Sequence, residues 1–141
     1  MSRITHVLDT SALLAHYFNE PGARLVEVLW SEESSRPAIS AVTVAELKGR
    51  MHEEVADDAE AANAADAYLN ELTICLPVDR ATAELAWQLR QAAQHRLPLV
   101  DALIAATARA AGAILVHKDT HMSQIPAALV RQIVLPDHGE P

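Results

Sequence analysis

Four carboxylates, Asp9, Glu46, Asp101 and Asp119, stand where short apolar runs give way to turns or helical stretches. Asp9 directly follows Ile4-Thr-His-Val-Leu8, and Glu46 comes soon after Pro37-Ala-Ile-Ser40. Asp101 falls in the first turn of the apolar stretch Leu99–Ala111, and Asp119 lies two residues beyond Ala113-Ile-Leu-Val-His117. Taken singly, each has an ordinary explanation. Asp9 and Asp119 suit N-caps or turns, Asp101 suits a cap for the following helix, and Glu46 suits the partner of Thr43 in a capping box. Taken together they repel, and ionised groups a few ångströms apart raise one another's pKa unless a cation neutralises them. A set of oxygen donors without cysteine suits a hard ion, Mg²⁺ or Mn²⁺, rather than Zn²⁺. Removing the four would take the formal charge from −8 to −4, so half of the acid excess belongs to this set. Helix N-termini also favour carboxylates and offer a route to the same pattern without metal.

The elements that must position these acids are legible in outline. Residues 4–8, 37–40, 73–78, 113–117 and 130–135 are short, apolar and bounded by turn formers, which predicts strands. Between them Ala12–Phe18, Leu25–Trp30, Val42–Val55, 57–72, a stretch capped by Asp79 and Leu99–Ala111 carry helical spacing, with Gly112 as a stop. Strands alternating with helices predict an α/β fold, a parallel sheet with helices on both faces. In such sheets ligands bind at the carboxyl ends of the strands, which is where the four acids are expected.

The 141 residues fit one domain, read as 1–136 with a polar tail at 137–141. An excess of 19 acidic over 11 basic side chains excludes nucleic-acid binding through a large overall positive charge, so any such contact must be local. Lys118, Lys48 and Arg50 are the cations nearest to the acids in sequence, although Arg50 lies four residues from both Glu46 and Glu54, the spacing of ordinary helix-surface pairs. Aromatic residues make up 4%, which argues against a base-stacking platform. The lone Cys75, in the apolar run Leu72–Val78, is expected in the core and excludes a disulfide framework. With no membrane-length apolar window, a cytoplasmic protein without a membrane association is expected. His117 and His121 are four apart, a zinc spacing on a helix that a strand-to-loop junction does not keep. Tyr17, Phe18, Leu25, Trp30, Tyr68 and Leu69 are expected in the core.

Three stretches, in this order and at these separations, resemble the PIN-domain ribonucleases, in particular the VapC-type toxins of bacterial toxin–antitoxin pairs. They are Val7-Leu-Asp-Thr-Ser-Ala-Leu-Leu-Ala15, Ser40-Ala-Val-Thr-Val-Ala-Glu-Leu47, and Leu97-Pro-Leu-Val-Asp-Ala-Leu-Ile-Ala-Ala-Thr107 followed by Gly112-Ala-Ile-Leu-Val116 and Asp119. The likeness spans residues 4–135. It implies a PIN fold in which Asp9, Glu46, Asp101 and Asp119 bind Mg²⁺ or Mn²⁺ and a hydroxyl beside the first acid, Ser11 or Thr10, supports the site. It further implies an endoribonuclease acting on RNA, with a structured RNA such as a transfer RNA as one candidate substrate. A cognate VapB-type antitoxin would be buried among the first helices, and the chain would pair as a homodimer. Where many members carry a further acid and an aromatic residue after the last aspartate, this chain has Thr120-His-Met-Ser123. Two other functions compete: a non-catalytic binding module of the same fold, and a receiver-like phosphoacceptor domain using Lys118. The second lacks an aspartate after the middle strand, since Ile39-Ser40 supplies none.

Overall fold

The computed structural model describes residues 3–141. Five parallel strands form one sheet in the order β3-β2-β1-β4-β5: β1 His6–Leu8, β2 Pro37–Ser40, β3 Ile74–Leu76, β4 Ile114–His117 and β5 Gln132–Val134. Registers such as Val7 beside Ala38 and Leu115 bring the strand ends level. The chain builds outward from β1 through β2 to β3, then returns to the other side of β1 to lay down β4 and β5. The switch point between β1 and β4 is where this topology opens a crevice. Asp9 N–H bonds to the Val116 carbonyl across it at 3.1 Å. This order differs from the 2-1-3-4-5 order of receiver-like sheets, so the phosphoacceptor reading fails on topology.

Alternation along the buried strands splits the core into two layers. Leu8, Ile39 and Val116 pack under α1 (Thr10–Tyr17), α2 (Ala23–Ser31), α3 (Ala41–Glu54) and α4 (Asp58–Asp66). Val7, Ala38 and Leu115 pack under α5 (Arg80–Ala92), α6 (Leu99–Ala111) and the one-turn α7 (Thr120–Ser123). The six residues Ala102, Ile104, Ala105, Ala106, Thr107 and Ala108 of α6 are buried, as expected for a helix lying flat on the sheet. Gly112, left-handed at φ 65°, ends it. No helix of the described residues is long and apolar enough to cross a membrane.

Several expectations need correction. Residues 57–72 form α4 and then a π-helical turn over Ala67–Glu71, so the predicted single helix is not continuous in type. The N-cap of α3 is Ser40, not Thr43, so the capping box does not form and Glu46 is released for another partner. Cys75 is exposed, because β3 is an edge strand whose outer residues no helix covers. Phe18 and Leu25 are exposed at 39% and 51%, whereas Tyr68 and Leu69 are buried and Tyr17 and Trp30 lie partly buried against the core.

Gly22 forms the break between α1 and α2. Its φ of 94° is left-handed, and a Cβ there would stand 2.9 Å from Leu135 Cβ. Gly22→Ala is therefore expected to lower stability by more than about 1 kcal/mol, read as a drop in the urea midpoint at unchanged m.

Candidate active site

The first carboxylate is fixed by the turn from strand to helix. Asp9 is the N-cap of α1, 2% exposed, and accepts the Ala12 N–H at 2.9 Å. The Ser11 hydroxyl donates to the same carboxylate, 2.7 Å from Oδ1 and 2.9 Å from Oδ2, while Ser11 Oγ accepts the Lys118 N–H at 2.9 Å. Ser11 therefore ties the end of β1 to the residue preceding Asp119. Thr10, also buried, donates its hydroxyl to Glu46 on α3. Adjacent hydroxyls thus hold two different acids, a division the sequence pattern leaves open between Thr10 and Ser11.

Asp101 lies in the first turn of α6, whose N-cap position is taken by Pro98 without a side-chain bond, so Asp101 is not the cap. Asp119 does cap: it accepts the His121 N–H of α7 at 2.6 Å. His121 Nδ1 stands 3.2 Å from Asp119 Oδ1 and 4.0 Å from Asp101 Oδ2. One ligand atom each from Asp101, Asp119 and His121 lies within 4.8 Å of the others.

Among the described residues Asp9 and Glu46 lie outside that close group, and what ties them to it is charge. Burial pushes the Asp9 carboxyl up to about 7; the Ser11 and Ala12 hydrogen bonds oppose the shift, and the charges of Asp119 and Asp101 add to it. Asp101 is pushed up to about 6 by burial, then by Asp119 and Glu46, with His121 pulling the other way. Asp9 senses Asp119 and Asp101, and Asp101 senses Asp119 and Glu46, which links all four. Among the described residues no lysine or arginine forms an ion pair with any of them. A buried carboxylate driven this far from its ordinary value, among like charges and without a cationic side chain, fits a divalent cation bound by hard oxygen donors.

The other histidine is occupied. His117, fully buried at the end of β4, accepts the Asp119 N–H on Nδ1 at 3.0 Å, so its Nε2–H donates to Gln132 Oε1 at 2.7 Å. Both nitrogens are used within the protein, and burial pushes its pKa down, so the ring is neutral and shapes the turn that presents Asp119. The nominated cations are also largely engaged. Lys118 Nζ donates to the Pro21 carbonyl, and Arg50 pairs with Glu54. Lys48 lines a groove between α3 and α4 beside Asp58 and Asp66.

Ranking cations by distance along the chain from Glu46 and Asp119 passes over Arg96. Its loop is pinned to its neighbours by three bonds: His95 N–H to Gln124 Oε1 at 2.7 Å, Gln124 Nε2 to the Arg96 carbonyl at 3.3 Å, and Arg90 Nε to the Leu97 carbonyl at 2.9 Å. The loop connects α5 to α6, which carries Asp101, and its bonds to Gln124 attach it to the C-cap of α7, the one-turn helix that Asp119 caps. The signal in sequence was a basic residue five positions before Asp101.

Asp9 also makes a sign-definite prediction. The folded state holds its proton more tightly than the unfolded chain between 3.8 and about 7. In metal-free buffer, wild-type stability relative to Asp9→Asn should therefore fall as pH rises through that window, and added Mn²⁺ should restore more at the upper end than at the lower. Thermal melts of the two proteins across the range check this; parallel curves would contradict it.

The PIN domain family model matches residues 6–128. No curated protein matches the chain. Among solved structures, a chain of VapBC2 from Rickettsia felis, bound to a promoter DNA fragment, superposes with a TM-score of 0.76 at 19% identity, covering 94% of this chain and 100% of that one. VapBC-1 from nontypeable Haemophilus influenzae gives 0.73 at 17%, covering 93% and 98%. VapBC-5 from Mycobacterium tuberculosis, a member of the VapBC family of toxin–antitoxin systems, gives 0.69 at 24%, covering 93% and 98%. With the matched segment running from β1 past α7 and the five-stranded parallel sheet in place, this chain belongs to the PIN-domain family.

Proposed function

We propose that this protein is a metal-dependent endoribonuclease toxin of the VapC type, held in check by a VapB-type antitoxin. The observation that carries this reading is geometric: donor atoms of Asp101, Asp119 and His121 lie within 4.8 Å of one another beside the turn that follows β4, Ser11 ties buried Asp9 to that turn, and Thr10 holds Glu46. A bound Mg²⁺ or Mn²⁺ supplies charge neutralisation at the scissile phosphate and acidifies water. The chain's part is to hold its donors still beforehand: Ser11 and the Ala12 N–H orient Asp9, Thr10 holds Glu46, and the α7 turn sets Asp119 beside His121. Asp9, Asp101, Glu46 and Asp119 are the proposed ligands, and Ser11 orients Asp9. His121 occupies the region where many relatives have a further acid, adding a nitrogen donor or hydrogen-bond partner in its place.

Substrate grip falls to Arg96. Its guanidinium is exposed, makes no hydrogen bond or ion pair among the described residues, and hangs from a loop fixed at both ends. The pinned backbone spares the cost of ordering the loop, so only the arginine side chain itself is immobilised on meeting an RNA phosphate. The exposed apolar side chains Phe18, Leu25 and Val28 of the α1–α2 region suit an apolar antitoxin segment. The Rickettsia felis relative is bound to a DNA fragment from its promoter, which supports a place for this chain, with its antitoxin, in a promoter-bound complex.

The reading is tested by RNA cleavage with purified protein. Cleavage should require Mn²⁺ or Mg²⁺, stop with EDTA, disappear in Asp9→Asn and Asp101→Asn, and be suppressed by the co-expressed antitoxin; cleavage retained by either variant would overturn the site. Arg96→Ala should weaken RNA binding, measured in EDTA so that the substrate survives. It should also reduce the slope of log K against log[salt] by about 0.7 for one lost phosphate contact.

A further inference from the structure

Inside the apolar layer between α6 and the sheet, two hydroxyls meet. Ser40, at the end of β2, is fully buried, Thr107 is 2% exposed, and their oxygens are 3.0 Å apart. Thr107 Oγ1 is also 2.8 Å from the Leu103 carbonyl, and the Val42 N–H points at Ser40 Oγ from 3.4 Å. Each hydroxyl has one proton, so a single assignment satisfies every group: Val42 N–H donates to Ser40, Ser40 to Thr107, and Thr107 to the Leu103 carbonyl.

A satisfied polar pair in an apolar layer contributes little net stability, because desolvation offsets most of the bond. What it does contribute is position. Apart from Ile104 and Thr107, the buried residues of α6 are alanines, Ala102, Ala105, Ala106 and Ala108, and so offer few ridges to stop the helix sliding along its axis. The hydroxyl pair is a directional contact in that smooth interface. Asp101 lies six residues before Thr107 on α6, and Glu46 lies six residues after Ser40 on α3, so each carboxylate stands about 9 Å along its helix from the pair. The Glu46 charge adds to the upward push on the Asp101 carboxyl, so the separation set by these two arms matters to the site.

We propose that Ser40 and Thr107 are positioning residues that lock α6 to β2 and α3 and thereby set the spacing of Asp101 and Glu46 for a divalent cation. The inference rests on the reading of those acids as cation ligands. The test is Mn²⁺ affinity of the otherwise unliganded full chain, by titration calorimetry, for wild type, Thr107→Val, Thr107→Ser and Asp101→Asn. Thr107→Val keeps the shape and removes the hydroxyl; it should weaken Mn²⁺ binding about 10–100-fold, the range for loss of a supporting contact around a metal. Thr107→Ser should return the affinity to near wild type. A change in melting temperature alone, with Mn²⁺ affinity intact in Thr107→Val, would mean the pair is merely structural and would overturn the proposal. Should Thr107→Val not fold, Ser40→Ala leaves Thr107 bonded to Leu103 and is expected to weaken Mn²⁺ binding likewise; unchanged affinity there overturns the proposal as well. Wild type that binds no Mn²⁺, or Asp101→Asn that binds it as tightly as wild type, instead removes the cation reading and this inference with it.

Discussion

Mutual repulsion among carboxylates that the fold will not allow to separate is the constraint on which the rest of this molecule turns. Asp9 is buried at a helix cap between two strands, Asp101 begins a helix pressed flat on the sheet, and Asp119 opens a one-turn helix behind a buried histidine. Asp9 and Asp119 cannot swing away without losing the backbone hydrogen bonds they accept from Ala12 and His121. Relief must come from protons or from a bound cation, and the raised carboxyls of Asp9 and Asp101 record that demand. An α/β fold has no stability reason to collect such charges, and functional sites are where shifts of this kind gather.

The topology makes the collection possible. Strands β1 and β4 are neighbours in space but far apart in sequence, and Ser11 bridges the turns that follow them by bonding Asp9 on one side and the Lys118 backbone on the other. A small hydroxyl residue can sit in this tight turn and satisfy both partners. Thr10 reaches across to α3 in the same way. The site is therefore built less from long flexible side chains than from backbone turns with short polar residues that have few rotamers to lose.

The fold was largely legible because its signals are local: β-branched runs, Asp79 as a cap, Gly112 as a stop, and an α6 apolar but for Asp101, Thr107 and Arg109 can each be recognised within a dozen residues. The places of Asp9, Asp101 and Asp119 were legible for the same reason, since each directly follows a strand or opens a helix, whereas Glu46 lies inside α3. What could not be read were relations between distant segments. Cys75 looks like core by its neighbours, and only the sheet order makes β3 an edge. Thr43 and Glu46 have the spacing of a capping box, yet Ser40 takes the cap and Thr10 takes Glu46, leaving the Thr43 hydroxyl buried without a partner among the described residues. Thr107 was visible as a polar exception in an apolar helix, but its meaning needed Ser40 beside it. The anchoring of Arg96 through Gln124 and Arg90 left no trace in composition or spacing.

The bare rim of the sheet has a practical side. Cys75 is the chain's single thiol and it faces solvent on β3, so oxidation in air can join two molecules edge to edge by a bridge unrelated to any native assembly. Molecular weights determined without reductant would then count an artefact of handling as a partner, whereas the same lone sulfur, once reduced, gives a unique attachment point for a dye or spin probe.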